Sequence, residues 1–428
     1  MVLNLKPSPA ISEGVMNRTS KEDTMLFGES VGSAEANSRL RGKPLIAFLT
    51  LLAALGTLST NMYLASFPSI GSDLNASPQQ VRLTLTVFLV GFAFGQLVIG
   101  PLSDRYGRRP LLLVGLSVFA VASLLCAVAN NLEWLIALRV VQAIGACTGA
   151  VLARAVARDL FQGDELTRAL GYVTTFMAAA PGFSPLIGGL IETFYSWRMT
   201  FVLLFIVGTG AALIVWTRIT ETNHNRSTKL SLGYAFFSYF SLLRHRNFVM
   251  PATATTCAMG GLFAFFAASP TIFIGEFGVP PALFGLIPFC TVFAVFAGGL
   301  SAPRLAKRWP GMKPIIIGLM LMLIGSSVMF LLSLLGKLSI LQVLAPLIVF
   351  LFGMGVVNPL STVAALRPFP EQAGAASALV GFFQIAGGAL GTIALDVLPF
   401  PILSALPLVM MLSAIVGFFA ILLALRHA

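Results

Sequence analysis

Arg139, Gln142 and Gly145 stand at three-residue spacing inside the apolar stretch 132–153, which places them on one face of a helix. A guanidinium at that depth costs several kcal/mol unless it meets water or a partner. Such a group can hold an anion, or lower the pKa of an acid beside it. Counting 1.5 Å per residue, Arg139 lies about 6 Å from the middle of its stretch, and Asn61 lies about 6 Å from the middle of another, on the same side. A carboxylate at Asn61 would be the natural proton carrier, but an amide does not titrate. The acids nearest the stretches fall at their ends: Glu133, Glu192 and Asp396 on one side, Asp104 and Asp159 on the other. No carboxylate stands near the middle of any stretch.

Other side chains suit binding rather than bond-making. Asn61, Tyr63, Arg139 and Gln142 come from the first half of the chain. Phe265, Phe266, Phe382, Phe383 and Gln384 come from the second. A buried glutamine must find a partner or line a cavity, and aromatic faces with few fixed hydrogen bonds suit flat or amphipathic organic solutes. With 35 phenylalanines in the chain, each alone is more often packing than site. Gly145 and Gly149 form a GxxxG pair, the signature of close helix contact. Asp104 is placed to pair with Arg108, four residues on, or with a neighbouring helix end. At a seam between halves such a clasp would hold one conformation and release in another. There is no Ser-His-Asp grouping and no phosphate-binding loop. Cys126, Cys147, Cys257 and Cys290 lack metal-ligand spacing, and His224, His245 and His427 lie in polar loops or the tail. Neither an enzyme nor a metal or cofactor protein is expected.

The elements that must position these groups follow from composition. The 428 residues are 57% hydrophobic and only 10% charged, with a mean hydropathy of +0.91. A soluble domain carries about 25% charged residues, so this chain must lie in a membrane. Twelve stretches approach the ~20 apolar residues that a spanning helix needs: 45–70, 82–102, 111–129, 132–153, 168–191, 199–217, 248–273, 283–302, 314–335, 341–363, 375–396 and 402–425. The net charge of +11 suits loops enriched in Lys and Arg rather than nucleic-acid binding. With both termini on the cytoplasmic side, only Arg82, Arg139, Arg198 and Lys337 of the 27 Lys and Arg fall outside cytoplasmic segments. The expected division is a polar, disordered tail 1–44, a six-helix unit 45–217, a cytoplasmic loop 218–247 and a second six-helix unit 248–428. The basic segment Arg304–Arg308 repeats, after the eighth stretch, the Arg105–Arg109 segment after the second. An all-α membrane fold of two six-helix halves around a midplane cavity is expected.

Four segments carry a family resemblance. The loop Gly100-Pro101-Leu102-Ser103-Asp104-Arg105-Tyr106-Gly107-Arg108-Arg109 resembles the signature loop of the major facilitator superfamily of secondary transporters. Arg139-x-x-Gln142-x-x-Gly145 is similar to its fourth-helix motif, whose arginine is implicated in proton transfer. Pro181-Gly182-Phe183-Ser184-Pro185-Leu186-Ile187-Gly188-Gly189 resembles the antiporter motif of exporters. Asn61-Met62-Tyr63-Leu64-Ala65-Ser66-Phe67-Pro68, together with Arg154–Phe161 and Leu366–Pro370, resembles the Bcr/CflA branch of drug:proton antiporters. One departure bears on mechanism: Asn61 and Ala65 stand where that branch has an aspartate and a proline.

The resemblance implies a proton-linked exporter of drug-like compounds of the bicyclomycin or chloramphenicol kind, in a bacterial inner membrane. Its partners would be a small-molecule substrate, protons and lipids, and a monomer is the default for two fused halves. Asp104, Arg105, Arg108, Arg139, Asp159, Asp396 and Glu133 are then the coupling and gating candidates. The alternatives are an exporter or exchanger of a metabolite, such as a nucleoside or amino-acid derivative, uncoupled from protons because Asn61 is neutral, and a non-transporting membrane sensor or scaffold.

Overall fold

The computed structural model describes residues 40, 42–223, 232–336 and 338–425, so the expectation for most of the tail falls outside it. Among the described residues, twelve helices are long and apolar enough to cross a membrane. Numbered as spans one to twelve, they are Gly42–Asp73, Pro78–Tyr106, Arg108–Ala127, Leu132–Leu160, Gly163–Phe194, Trp197–Arg218, Arg246–Glu276, Pro281–Arg308, Lys313–Leu334, Ile340–Leu366, Pro370–Val397 and Ile402–Leu425. Each agrees with an expected stretch, and most run further. Polar and charged residues continue a helix into the headgroup zone, where the backbone still bonds internally and long side chains reach water. The extension matters most in span four. It runs to Leu160, so Arg154 and Arg158 stand on the helix, whereas the sequence reading puts them in a loop.

Local chemistry sets the breaks between spans. Ser77 and Gln80 form a capping box at the start of span two, and Ser339 and Gln342 form another at span ten. Spans two and three are separated by Gly107 alone, at φ 101°, a backbone region that a β-carbon makes costly. Within span one, Met62–Ser66 tightens into a 3₁₀ turn, and within span seven, Pro270–Glu276 widens into a π-helix. Prolines at 68 and 270 remove backbone donors near these departures from α geometry. The stretch 218–247, expected to be loop, contains a further helix, Leu232–Leu243. It turns Phe236, Phe237 and Phe240 outward and buries Tyr239 and Leu242.

Small residues bring the helices together. A β-carbon on Gly145 would meet the backbone of Gly115 and Phe119 in span three, and one on Gly149 would meet Leu52 in span one. The GxxxG pair therefore joins span four to two neighbours. In the antiporter-like segment of span five, Gly182 packs on Val292 of span eight, Gly188 on the Met62 carbonyl of span one, and Gly189 on the Pro281 carbonyl of span eight. Pro181 and Pro185 sit inside the same helix. Gly285 returns the contact against the backbone of Pro185 and Leu186. Spans five and eight thus form one seam between the halves, and spans two and eleven form the other.

The two ends of the second seam differ. The face bearing Arg105–Arg109 is called the basic face here. At the opposite face, Arg82 of span two donates to Asp396 of span eleven through Nε at 2.9 Å and Nη2 at 2.6 Å. One turn deeper, Thr86 donates to Thr392 at 2.8 Å. Towards the basic face the same helices part around a cavity. A half-buried ion pair reinforced by the hydroxyl contact is the polar latch of the closed end.

If so, Asp396→Asn will raise the rate at which a membrane-impermeant thiol reagent labels Leu395→Cys from the opposite face. We expect about tenfold, equivalent to ~1.4 kcal/mol. The charge-reversed pair Arg82→Asp with Asp396→Arg will restore slow labelling. Labelling that ignores the pair would remove its role as a latch.

Candidate functional site

Arg139 is wholly enclosed within the first half. Its guanidinium lies 4.3 Å from the ring centroids of both Tyr63 and Phe88, and 5.8 Å from that of Phe201. Its Nη1 donates to Gln142 Oε1 at 2.5 Å, and Nη2 donates to the Ser59 carbonyl at 3.0 Å. Gln142 is fixed in turn, donating to Ser123 Oγ at 2.8 Å. Tyr63 exchanges a hydrogen bond with Thr84 at 3.2 Å. Spans one, two, three, four and six all contribute to this box. No carboxylate among the described residues pairs with Arg139. The charge is held by quadrupole and dipole, where a desolvated cation–π contact is worth about 2 kcal/mol.

This departs from the expectation that Arg139 binds substrate at a midplane cavity: it meets partners instead. Three aromatic rings from three helices close over it, and sequence spacing cannot encode that convergence. Asn61 is buried nearby in the chain and donates back to the Thr57 carbonyl at 2.9 Å and Thr60 Oγ1 at 3.0 Å. Its Oδ1, like Arg139 Nε, has no hydrogen-bond partner among the described residues.

The second half has its own polar cluster. Gln384 Nε2 donates to Asn358 Oδ1 at 3.1 Å, Thr362 Oγ1 at 3.2 Å and Thr255 Oγ1 at 3.3 Å. Thr255 donates to Asn358 as well. Spans seven, ten and eleven meet there. Phe382 and Phe383 are half-buried, and Phe382 stands edge-on to Phe94 of span two, 5.7 Å away across the seam. Phe265 and Phe266 are buried among core side chains.

The cavity between the halves opens on the basic face and measures about 480 Å³. Gln96, Gly100, Asp104 and Arg108 line it from span two and its junction with span three, and Arg154 and Arg158 from span four. Glu371, Gln372 and Ala378 face them from span eleven, and Tyr239 from the helix Leu232–Leu243. None of the nine residues expected to bind substrate is among its lining residues in this conformation. At 1.5 Å per residue its walls reach only about 15 Å up the helices, short of Gln384 and Arg139. Burial pushes the Tyr239 phenol up to about 12, with Asp104 adding to the effect. The phenol stays protonated and donates to the Leu97 carbonyl at 3.0 Å, bringing no negative charge to the cavity.

The basic-face clasp also differs from expectation. Arg108 pairs with Asp104 at 2.5 Å and with Asp159 at 3.2 Å. Asp159 accepts from Thr222, and Glu221 accepts from the backbone N–H groups of Arg108 and Arg109. All these groups belong to the first half. The clasp therefore holds spans two, three and four to the segment after span six and does not cross the seam. Arg105 lies over the Tyr106 ring. Glu133 is exposed at the opposite face and forms no ion pair among the described residues. Sequence reasoning missed Arg82, Gln96, Arg154, Asn358 and Glu221. Buried polar positions in an apolar stretch were a usable signal for Gln96 and Asn358. The Arg82–Asp396 pair, spanning 314 positions, left none.

Truncating Gln142→Ala removes a hydrogen bond to a buried charge and the one Gln142 gives Ser123, at a cost of about 1.5–3 kcal/mol. It will lower the melting temperature of the purified protein by several degrees, and Arg139→Lys, lacking the planar fork, will do the same. An unchanged melting temperature in both variants would contradict the box as drawn.

Comparison with known proteins agrees with this architecture. The family model described as Major Facilitator Superfamily matches residues 49–392. A bicyclomycin resistance protein homolog of Haemophilus influenzae is 31% identical over 81% of this chain and 87% of its own length. A chloramphenicol resistance protein of Pseudomonas aeruginosa is 30% identical over 83% of this chain and 84% of its own. Among solved structures, a bacterial homolog of the human lysosomal transporter Spinster, inward-facing and occupied, superposes with a TM-score of 0.70 at 15% identity. That match covers 90% of this chain and 98% of the other, and it bears on fold alone. With its signature loop, its fourth-helix arginine motif and these relatives, the chain belongs to the Major Facilitator Superfamily, and its relatives are consistent with the Bcr/CflA type.

Proposed function

We propose that this transporter exports small drug-like organic compounds, of the bicyclomycin or chloramphenicol class, from the cytoplasm by proton antiport with alternating access. The observation that carries this reading is the asymmetry of the seam. A cavity between the halves opens on the basic face, while Arg82–Asp396 and Thr86–Thr392 join them at the other. The basic face is cytoplasmic by the distribution of Lys and Arg, which puts both termini on the cytoplasmic side of a bacterial inner membrane. Substrate enters the cavity from the cytoplasm. It then reaches Gln384, Phe382 and Phe383 as the halves rock, while Asn61, Tyr63, Arg139 and Gln142 stay enclosed within the first half. The glycines of the antiporter-like segment let spans five and eight slide without side-chain obstruction.

For coupling, Asp396 is the acid at the opposite face and Asp104 the acid in the cavity. A proton on Asp396 removes the charge that holds Arg82 and releases the latch. Arg139 maintains a positive potential between them. One proton crossing 100 mV supplies about 2.3 kcal/mol, or roughly a fortyfold gradient of a neutral solute.

A second reading, transport of a metabolite without proton coupling, has one specific observation in its favour. Asn61 is a buried amide at the customary acid position, and among the described residues Arg139 pairs with no carboxylate. Proteoliposomes separate the two. Efflux of chloramphenicol should slow severalfold when the pH gradient and potential are collapsed together, and slow again in Gln384→Ala at equal protein content. Efflux indifferent to both gradients would leave only the second reading. No efflux of any compound in a panel would end both.

A further inference from the structure

The cavity wall holds a charge that no other described residue satisfies. Arg154 lines the cavity from span four, partly buried, about two turns of helix from the basic end at Leu160. Among the described residues its side chain forms no ion pair and donates no hydrogen bond. Each nearby carboxylate has a place of its own. Asp104 and Asp159 are engaged with Arg108, and Glu371 is exposed on span eleven at the mouth. Arg158, one turn further along, is exposed and donates to the Arg154 carbonyl at 3.3 Å, adding a second positive charge on the same wall. The remaining lining is neutral: Gln96, Ser238 and Gln372 offer hydrogen bonds, and Val151, Ala155 and Leu170 offer apolar contact. A planar guanidinium with five donors and no acceptor, beside an apolar wall, matches an oxyanion carried on a small apolar body.

The rest of the first half points the same way. Its other deep charge, Arg139, is also a cation without a carboxylate, and Asn61 contributes no negative charge. We propose that Arg154 anchors the anionic group of the exported compound, a carboxylate, sulfonate or phosphate monoester, in the cytoplasmic cavity. This rests on the exporter reading and extends its substrate class from neutral compounds to anionic ones. For such a compound the neutral Asn61 is no obstacle, as in the reading without proton coupling. A monovalent anion leaving a negative interior is driven outward about fortyfold per 100 mV, with no proton required.

The test is equilibrium binding to the full chain in phosphatidylcholine nanodiscs, comparing 2-naphthalenesulfonate with the uncharged 2-naphthalenesulfonamide. The sulfonate should bind at least tenfold tighter. Arg154→Gln should abolish that preference without weakening the sulfonamide, and Arg154→Lys should retain part of it. In the unmodified chain the sulfonate should also protect Arg154 from phenylglyoxal, read by peptide mass spectrometry, so the test survives a variant that does not fold. Equal affinity for the two compounds, or a preference intact in Arg154→Gln, overturns the proposal. A second arm adds phosphatidylglycerol to the nanodiscs. If it displaces the sulfonate from the unmodified chain in an Arg154-dependent way, the site belongs to a lipid headgroup and the substrate assignment falls. Efflux of neutral chloramphenicol from proteoliposomes made with the same purified protein reports the exporter reading separately, so either can fail alone.

Discussion

A guanidinium sealed inside a membrane bundle without a counter-charge constrains everything around it. Arg139 is tolerable only because two aromatic faces, a glutamine oxygen and a backbone carbonyl converge on it. Those groups come from spans one, two and four, with Ser123 of span three behind Gln142 and Phe201 of span six above. The box therefore ties five of the six helices of the first half together. A half held in this way can move as a body. The clasp of Asp104, Arg108, Asp159 and Glu221 makes the same tie at the basic face.

Between two such bodies, the contacts that must break are few and lie on the seams. Arg82–Asp396 and Thr86–Thr392 close one end of the seam between spans two and eleven, and the cavity separates the other. Along spans five and eight, glycines at 182, 189 and 285 bring backbone against side chain or backbone with little to interlock. The irregular turns at Met62–Ser66 and Pro270–Glu276 occupy corresponding first helices of the two halves, where a change in helix pitch can absorb rotation. A strong ionic latch at one end and a smooth seam at the other suit two arrangements better than a continuum.

Much of this was legible in the sequence because the bilayer imposes a length on every crossing helix. The twelve stretches, the division into two halves and the depth of Arg139 follow from counting residues. What surrounds Arg139 does not follow, because Tyr63, Phe88 and Phe201 reach it from different helices. The ends of the helices were equally hidden. Span four outlasts its apolar run by seven residues, and that carries Arg154 from an expected loop into a cavity wall. Asp104 and Arg108 were read correctly as partners, but which half their other neighbours belong to is a tertiary fact. The helix Leu232–Leu243 escaped notice because it is short and lies within a polar stretch. Its cluster of aromatic residues was the signal.

Whether the halves pivot as rigid bodies about the latched end is open to direct measurement. Spin labels can be placed at exposed positions in a chain whose four cysteines are replaced. One pair, Gln79→Cys with Val397→Cys, spans the latched end, and another, Gln162→Cys with Ala373→Cys, spans the cavity mouth. Releasing the latch with Arg82→Gln should lengthen the first distance while shortening the second in the same population. If both distances lengthen together, or neither changes, the halves are not rocking bodies and the account of alternating access is wrong.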